Sequence, residues 1–132
     1  MRKKQNVGPR HLPVGVYKLG NARIELILRE GTGADTNLST GKMQIGADER
    51  GWNDIVISLL HETQEVCMNQ MDCAYRHYSY YGFSGSNFSF FLTHEQFNEV
   101  CCRSGDLISP ALPDLSRAWV KWKKGKKHGR YH

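Results

Sequence analysis

Residues 51–76 form the longest uninterrupted helical pattern of the chain, and no other segment constrains the fold as strongly. Apolar side chains recur there at intervals of three and four residues, the spacing that places them on one face of an α-helix. A helix of this kind must bury its apolar face against another layer of the domain. The recurring apolar positions are Trp52, Ile55, Val56, Leu59, Leu60, Val66, Cys67, Met71 and Ala74.

Three strands are expected before this helix. Residues 22–30 alternate apolar and charged side chains, which is the period of a half-exposed strand, and residues 14–19 precede them across a turn at 19–21. Residues 42–47 have the composition of a third short strand, whereas the polar, glycine-containing residues 31–41 are expected to be a loop. These strands would supply the layer against which the long helix packs.

An aromatic-rich hairpin is expected after the long helix. Residues 77–83 and 88–92 flank the turn residues 84–87, so the two segments are expected to pair as antiparallel strands. Thr93 followed by Gln96 matches a capping box, which would open a second helix directly after the hairpin.

Two further helices complete the prediction. The second helix is expected over residues 94–108 and is expected to end at Pro110, and a short basic helix is expected over 112–124. The side chains expected to face the core from these helices are Phe97, Val100, Cys101, Leu112, Leu115, Trp119 and Trp122. The elements predict an α+β fold in which a small antiparallel sheet packs against one long central helix, with a second helix and a short basic C-terminal helix.

The formal net charge of +5 on 132 residues is unevenly distributed. Eleven of the 18 basic residues lie in residues 1–10 and 117–132, which contain no acid, and the other seven share the middle of the chain with all 13 acids. We therefore expect a flexible basic arm at 1–12, a single α+β domain at 13–124 and a disordered basic tail at 125–132.

Composition excludes several classes of protein. A hydrophobic fraction of 39% and a charged fraction of 23% are typical of a soluble globular domain. No run approaches the roughly 18 to 20 apolar residues of a membrane span, and residues 1–6 lack the apolar region of a signal peptide, so we expect a cytoplasmic protein. The four cysteines are expected to be reduced thiols, because Cys67 and Cys73 would stand about 9 Å apart along a helix, beyond disulfide reach.

His61, Glu62 and Glu65 form the one constellation with the spacing of a catalytic site. A histidine and an acid four residues apart point the same way from a helix, so His61 and Glu65 could share a metal ion, with Glu62 as general base. Helical geometry also places His61 and Glu65 nearly opposite the apolar side centred on Val56 and Cys67. A solvated polar stripe would therefore explain both residues without a metal.

Residues 42–76 resemble the metal-binding helix of minimal zincin metallopeptidases, with HETQE at 61–65 where that family has HExxH. The resemblance implies zinc-dependent hydrolysis, with His61 as a ligand and Glu62 as the base. Glu65 stands where the family has its second histidine. The candidates for a third ligand are His77, His94 and Glu99.

The basic termini indicate a binding protein. Lysine and arginine neutralise phosphates regardless of base sequence. We therefore expect a small non-enzymatic accessory protein that contacts nucleic acid or a nucleoprotein complex. Phages and prophages encode proteins of this kind. Two alternatives stay open, a zincin-like hydrolase that uses the HExxE helix and an inhibitor or adaptor that binds an acidic protein surface. No membrane partner is expected, and no cofactor unless zinc occupies that helix. The residues expected to bind the partner are Arg2, Lys3, Lys4, Arg117, Lys121, Lys123, Lys124, Lys126, Lys127 and Arg130.

Overall fold

The described part of the chain forms six strands and two helices. The structure is a computed structural model that describes residues 10–48, 51–76 and 88–127, with the backbone alone for residues 76, 88, 126 and 127. The α+β class predicted from the sequence is confirmed. The elements are β1 (His11–Leu19), β2 (Ala22–Arg29), β3 (Ala34–Asn37), β4 (Lys42–Gly46), α1 (Trp52–Gln70), β5 (Ala74–Arg76), β6 (Phe88–Phe90) and α2 (His94–Lys127).

The main sheet has four strands in the order β1-β2-β4-β3. β1 and β2 form an antiparallel hairpin, and Gly20 in its turn has a φ of 62°, a backbone conformation that favours glycine. β3 is antiparallel to β4, but β4 runs parallel to β2. The sheet is therefore mixed, and the prediction of a purely antiparallel sheet is wrong for the β2–β4 pair. The reason is that β3 lies outside β4, so the chain returns beside β2 in the same direction.

β3 lies within residues 31–41, which were expected to be a loop. Its sequence, ADTN, has neither the alternation nor the β-branched content that marks a strand. Pairing with β4 forms it, and the amide of Gly41 closes the turn by donating to the carbonyl of Asn37 at 2.8 Å. This strand exists because its neighbour does, which local composition does not indicate.

α1 ends at Gln70, six residues before the end of the predicted helix. Asp72 follows with a φ of 54°, in the left-handed region that terminates helices, and β5 then pairs antiparallel with β6. The predicted hairpin is thus confirmed at β6, whereas its first strand begins at Ala74. The predicted strand at 77–83 and turn at 84–87 lie outside the described residues.

α2 is one continuous helix of 34 residues where two helices were predicted. The predicted capping box is confirmed at its start, because the amide of Thr93 donates to Gln96 Oε1 at 2.8 Å and the amide of Gln96 donates to Thr93 Oγ1 at 3.1 Å. Pro110 and Pro113 both lie inside the helix at exposed positions, although a proline there costs about 3 kcal/mol.

The buried stripe of α2 explains why the helix continues. Leu107 and Leu115 are fully buried on either side of the prolines, and burial of one such side chain contributes about 1.5–3 kcal/mol. Breaking the helix at Pro110 would displace one of these two from the core. No helix in the described ranges combines the length and apolarity that a transmembrane segment needs.

Both helices pack on one face of the main sheet, α2 against β1 and α1 against β3 and β4, and the core lies between the two layers. Trp119 and Trp122 are core residues, as predicted. Phe97 and Cys101, expected to face inward, are instead exposed. The largest fully buried side chains are Trp122, Leu19, Ile24, Leu26, Leu28, Met43, Ile45, Ile55, Leu59, Leu107, Leu115 and Thr63.

Candidate functional site

The buried face of α1 is centred on Val66, not on Val56 and Cys67 as the helical pattern predicted. At about 100° per residue the two centres differ by about 80°. The pattern misled because Leu60, counted as inward-facing, is 38% exposed, and because Met71 and Ala74 lie beyond the end of the helix. Glu62, only 6% exposed, consequently belongs to the inner face of the helix.

The predicted triad of His61, Glu62 and Glu65 is close together in space, because its members lie within about one turn of α1. One ligand atom from each residue lies within 4.8 Å of the other two. His61 Nε2 lies 3.6 Å from Glu65 Oε2 and 4.0 Å from Glu62 Oε2. The Thr36 hydroxyl of β3 donates to Glu62 Oε1 at 2.7 Å and so fixes the buried carboxylate against the sheet. We call these three residues the carboxylate–histidine cluster.

The charge of this cluster is poorly compensated. Within residues 10–48, 51–76 and 88–127, no lysine or arginine nitrogen lies within 4.0 Å of either glutamate. A buried carboxylate needs a hydrogen-bonding or cationic partner, and here the partners are one hydroxyl and one imidazole. Two carboxylates that face one point favour a cation there.

A groove of about 280 Å³ opens beside the cluster, between β3 and α1. Glu62 and Glu65 line it from the helix, and Asp35 lines it from β3. Asp35 is engaged with Arg29, whose Nη2 lies 3.2 Å from its Oδ1, so its charge is already balanced. The groove gives a small molecule access to the two glutamates.

No third protein ligand from another element joins the cluster among the described residues. Glu99, one of the predicted candidates, accepts a hydrogen bond from Arg103 Nε at 2.8 Å on α2. His94 stands at the first turn of α2 and does not belong to the cluster, and His77 lies outside the described residues. Among the described residues the close group thus consists of His61, Glu62 and Glu65, all from α1.

The thiols do not form a nucleophilic site. Burial raises the pKa of the Cys67 thiol above its ordinary value, and its Sγ lies 3.7 Å from the Ser104 hydroxyl. Cys73 is buried, whereas Cys101 and Cys102 are exposed on α2, and all four are free thiols, as predicted. A raised pKa leaves less of the reactive thiolate at neutral pH.

The two basic segments of the sequence meet at one end of the molecule. The guanidinium of Arg10, just before β1, lies 3.5 Å from the ring centroid of Trp122 in the last turns of α2. The amide of Arg10 donates to Glu30 Oε1 at 2.8 Å, which anchors the chain where the N-terminal segment leaves the sheet. The sequence places Arg10 and Trp122 112 positions apart, and no local pattern announces their contact.

Three exposed lysines lie in the same turns of α2 as Trp122, and with Arg10 they define what we call the basic end: Arg10, Lys121, Lys123 and Lys124. Lys123 Nζ lies 5.0 Å from the ring centroid of Trp119. Within the described part of the chain, no carboxylate lies within 4.0 Å of any of the three lysine ammonium groups.

Arg117, also predicted to bind the partner, is less available than the lysines. Its guanidinium pairs with Asp114 one helical turn earlier, and the Tyr17 hydroxyl donates to the same carboxylate at 2.6 Å. Of the other predicted binding residues, Arg2, Lys3, Lys4 and Arg130 lie outside the described residues, as do the side chains of Lys126 and Lys127.

Comparison with known proteins adds no family. No protein-family model, no curated protein and no solved structure matches the chain. The resemblance to zincins therefore rests on the motif at residues 61–65, which the structure shows only to be a close triad.

Proposed function

We propose that this chain is a small accessory protein that binds nucleic acid, or a nucleoprotein complex, through its basic end. The contact of Arg10 with Trp122 carries the proposal, because it brings the starts of both basic terminal segments to one place. Charges that are far apart in the sequence thereby act on the same ligand. Converging cations attract a polyanion more strongly than scattered ones, since the fields of neighbouring charges add.

The chemistry of the basic end favours phosphates over bases. Trp119 and Trp122, the rings of this region, are 8% and 1% exposed and are occupied by core contacts. They offer no stacking platform, so affinity would come from neutralising phosphates and would fall steeply with salt. An acidic protein surface uses the same charges, and polyglutamate therefore serves as the competing ligand in the test below.

The test measures binding of the full chain to a 20-base-pair DNA duplex across a salt series, with the triple variant Lys121→Ser, Lys123→Ser, Lys124→Ser. If each lysine neutralises one phosphate, the slope of log affinity against log salt falls by about 0.9 per lysine. The charge-preserving triple variant with arginine at the same positions is the matched control and should keep the slope. Equal slopes for the serine variant and the parent, or preferential binding of polyglutamate, would contradict the proposal.

A second candidate function, metal-dependent hydrolysis of the zincin type, is favoured by the convergence of His61, Glu62 and Glu65 within 4.8 Å. One imidazole and two carboxylates are a donor set that Zn²⁺ accepts. They would leave coordination positions open, and a zinc ion there would lower the pKa of a bound water. In this arrangement Glu62 stands beside His61 and Glu65 with one oxygen held by Thr36, so it can serve as a ligand or as the base.

Metal analysis tests the second candidate. Protein purified without an affinity tag should contain one equivalent of metal, and His61→Ala and Glu65→Ala should each lose it. Gln64→Ala is the matched control, because Gln64 is exposed on α1 beside these residues and lies outside the cluster. Metal-free parent protein that also fails to take up added Zn²⁺ would remove this candidate.

A further inference from the structure

The face of the main sheet that the helices leave uncovered carries a second set of cations. Lys18 on β1, Arg23 on β2 and Lys42 on β4 are all exposed and lie on that face, because Ile24, Leu26 and their alternating neighbours face the core. We call Lys18, Arg23 and Lys42 the sheet cations. The sequence assigned them to an acidic middle segment, so their clustering is a product of the fold.

Strand register places Lys18 directly opposite Arg23 across β1 and β2. Lys42 stands opposite Glu25 across β2 and β4, so an acid shares this face with the sheet cations. Like charges directly opposite each other destabilise a sheet, so the Lys18–Arg23 pair weakens the fold rather than supporting it. In residues 10–48, 51–76 and 88–127, no carboxylate oxygen lies within 4.0 Å of a sheet cation.

An open groove of about 450 Å³ lies at this end of the sheet. Lys18 and Arg23 line it together with the exposed Val16 and the turn residue Asn21. The exposed side chains that strands β1 to β4 present on this face include one aromatic ring, the imidazole of His11 at the start of β1. Around Lys18 and Arg23, at the other end of β1, the surface therefore offers positive charge without an exposed ring on which an unpaired base could stack.

β1 connects the two cationic regions. Arg10 lies at its start and Lys18 near its end, and eight residues of extended chain at about 3.3 Å per residue span about 26 Å. That distance corresponds to about eight base pairs at about 3.4 Å per base pair of duplex. Because β1 is an edge strand of the sheet, a duplex lying along this edge would meet the basic end on the α2 side and the sheet cations on the other side, about eight base pairs apart.

We propose that a nucleic-acid duplex lies along β1 and is held by phosphate contacts at both the basic end and the sheet cations. The inference rests on the proposed nucleic-acid function and adds to it a second contact region, a duplex rather than a single strand, and a minimum length of ligand. Charge complementarity supports this occupant, since the three sheet cations outnumber Glu25, the acid that stands among them on this face.

The test compares duplexes of 6 and 16 base pairs, because only the longer one spans both regions. The parent protein should bind the 16-mer more tightly per binding site than the 6-mer. The triple variant Lys18→Ser, Arg23→Ser, Lys42→Ser should lose this gain in affinity. On the 16-mer, its slope of log affinity against log salt should fall by up to about 2.7, which is about 0.9 for each lost phosphate contact. At 0.1 M salt, each lost contact corresponds to a loss of affinity of about eightfold. Its affinity for the 6-mer should fall much less.

Two controls separate this inference from the proposal on which it depends. The charge-preserving variant Lys18→Arg, Lys42→Arg should bind both duplexes as the parent does. Thermal unfolding should show the serine variant to be about as stable as the parent, since it removes the repulsive Lys18–Arg23 pair and the attractive Lys42–Glu25 pair together. If the serine variant keeps the parent's affinity and slope while the Lys121, Lys123, Lys124 variant loses them, the sheet cations do not bind and the basic end alone does. Parent protein that binds neither duplex would overturn both proposals, and tighter binding to a 16-nucleotide single strand would overturn the duplex assignment.

Discussion

Glu62→Gln should have opposite effects on stability with and without metal, and this reversal is the sharpest test of the carboxylate–histidine cluster. The substitution keeps the shape of the side chain and leaves an amide oxygen that can still accept the hydroxyl of Thr36. It removes one of the two carboxylate charges that lie within 4.8 Å of each other. Metal-free protein should therefore gain stability, and metal-loaded protein should lose it.

The magnitude follows from the geometry. At 4.8 Å, the largest separation that the cluster allows, two unit charges would repel by about 3.5 kcal/mol at an effective dielectric of 20. Because Glu65 is 34% exposed, screening by water reduces this to about 1 kcal/mol. For a chain of 132 residues, 1 kcal/mol corresponds to a change in Tm of about 4 °C. In the parent, Zn²⁺ at 100 times its Kd should add about 2.7 kcal/mol, which the variant should lack.

The assay is thermal unfolding of parent and variant at pH 8, in EDTA and again in Zn²⁺. Asp106→Asn removes an exposed acid on α2 that lies outside the cluster, and it should change neither curve. A Glu62→Gln protein that is less stable than the parent by more than about 1 kcal/mol in EDTA would refute the account of uncompensated charge. An equal response of both proteins to Zn²⁺ would refute the assignment of Glu62 as a ligand.

Two other predictions concern the framework that positions these sites. Burial, and then the hydrogen bond to Asp114, raise the pKa of Tyr17, so its contribution to stability is complete below the unfolded pKa of about 10 and is lost as pH rises above that value. Tyr17→Phe should cost about 1 kcal/mol at pH 7, and in urea unfolding it should reduce the loss of stability between pH 9 and 11. An unchanged pH profile would contradict this. Gly46→Ala should destabilise the protein by about 2–3 kcal/mol, because the added Cβ would lie 2.5 Å from the backbone carbonyl carbon of Thr32. Gly105→Ala on α2 should stabilise it by about 0.5–1 kcal/mol, because a Cβ there meets nothing within 4 Å. Changes of the same sign in urea unfolding of the two alanine variants would show that the glycine environments are misjudged.

The sequence was sufficient to predict a secondary-structure element where the local pattern of apolar and polar side chains matches the element that forms. The alternation in β2 and the three-and-four spacing in α1 predict the right kind of element, and the Thr93 capping box marks the start of α2 to the residue. Each of these signals is local, since it depends on which neighbours along the chain share a face. The predicted triad at residues 61–65 is local in the same sense, because one helical turn brings its members together.

The predictions that failed depend on contacts between residues that are distant in the sequence. The parallel pairing of β4 with β2 and the polar strand β3 both depend on neighbouring strands. The helix α2 continues through Pro110 because the buried side chains on both sides of it outweigh the missing hydrogen bond. The offset of about 80° between the predicted and the observed buried face of α1 could not be read from its apolar residues, since three of them, Trp52, Ile57 and Leu60, are exposed.

The amino-acid sequence by itself determined the α+β class, the helical spacing of His61, Glu62 and Glu65, and the excess of cations in the terminal segments. Only the tertiary structure decided that Glu62 is buried against Thr36, that Arg10 meets Trp122, and that the sheet cations share a face. The physical reason is one of range. Spacing along a helix or strand fixes which side chains share a face, whereas packing between layers decides which face is buried and which distant charges meet.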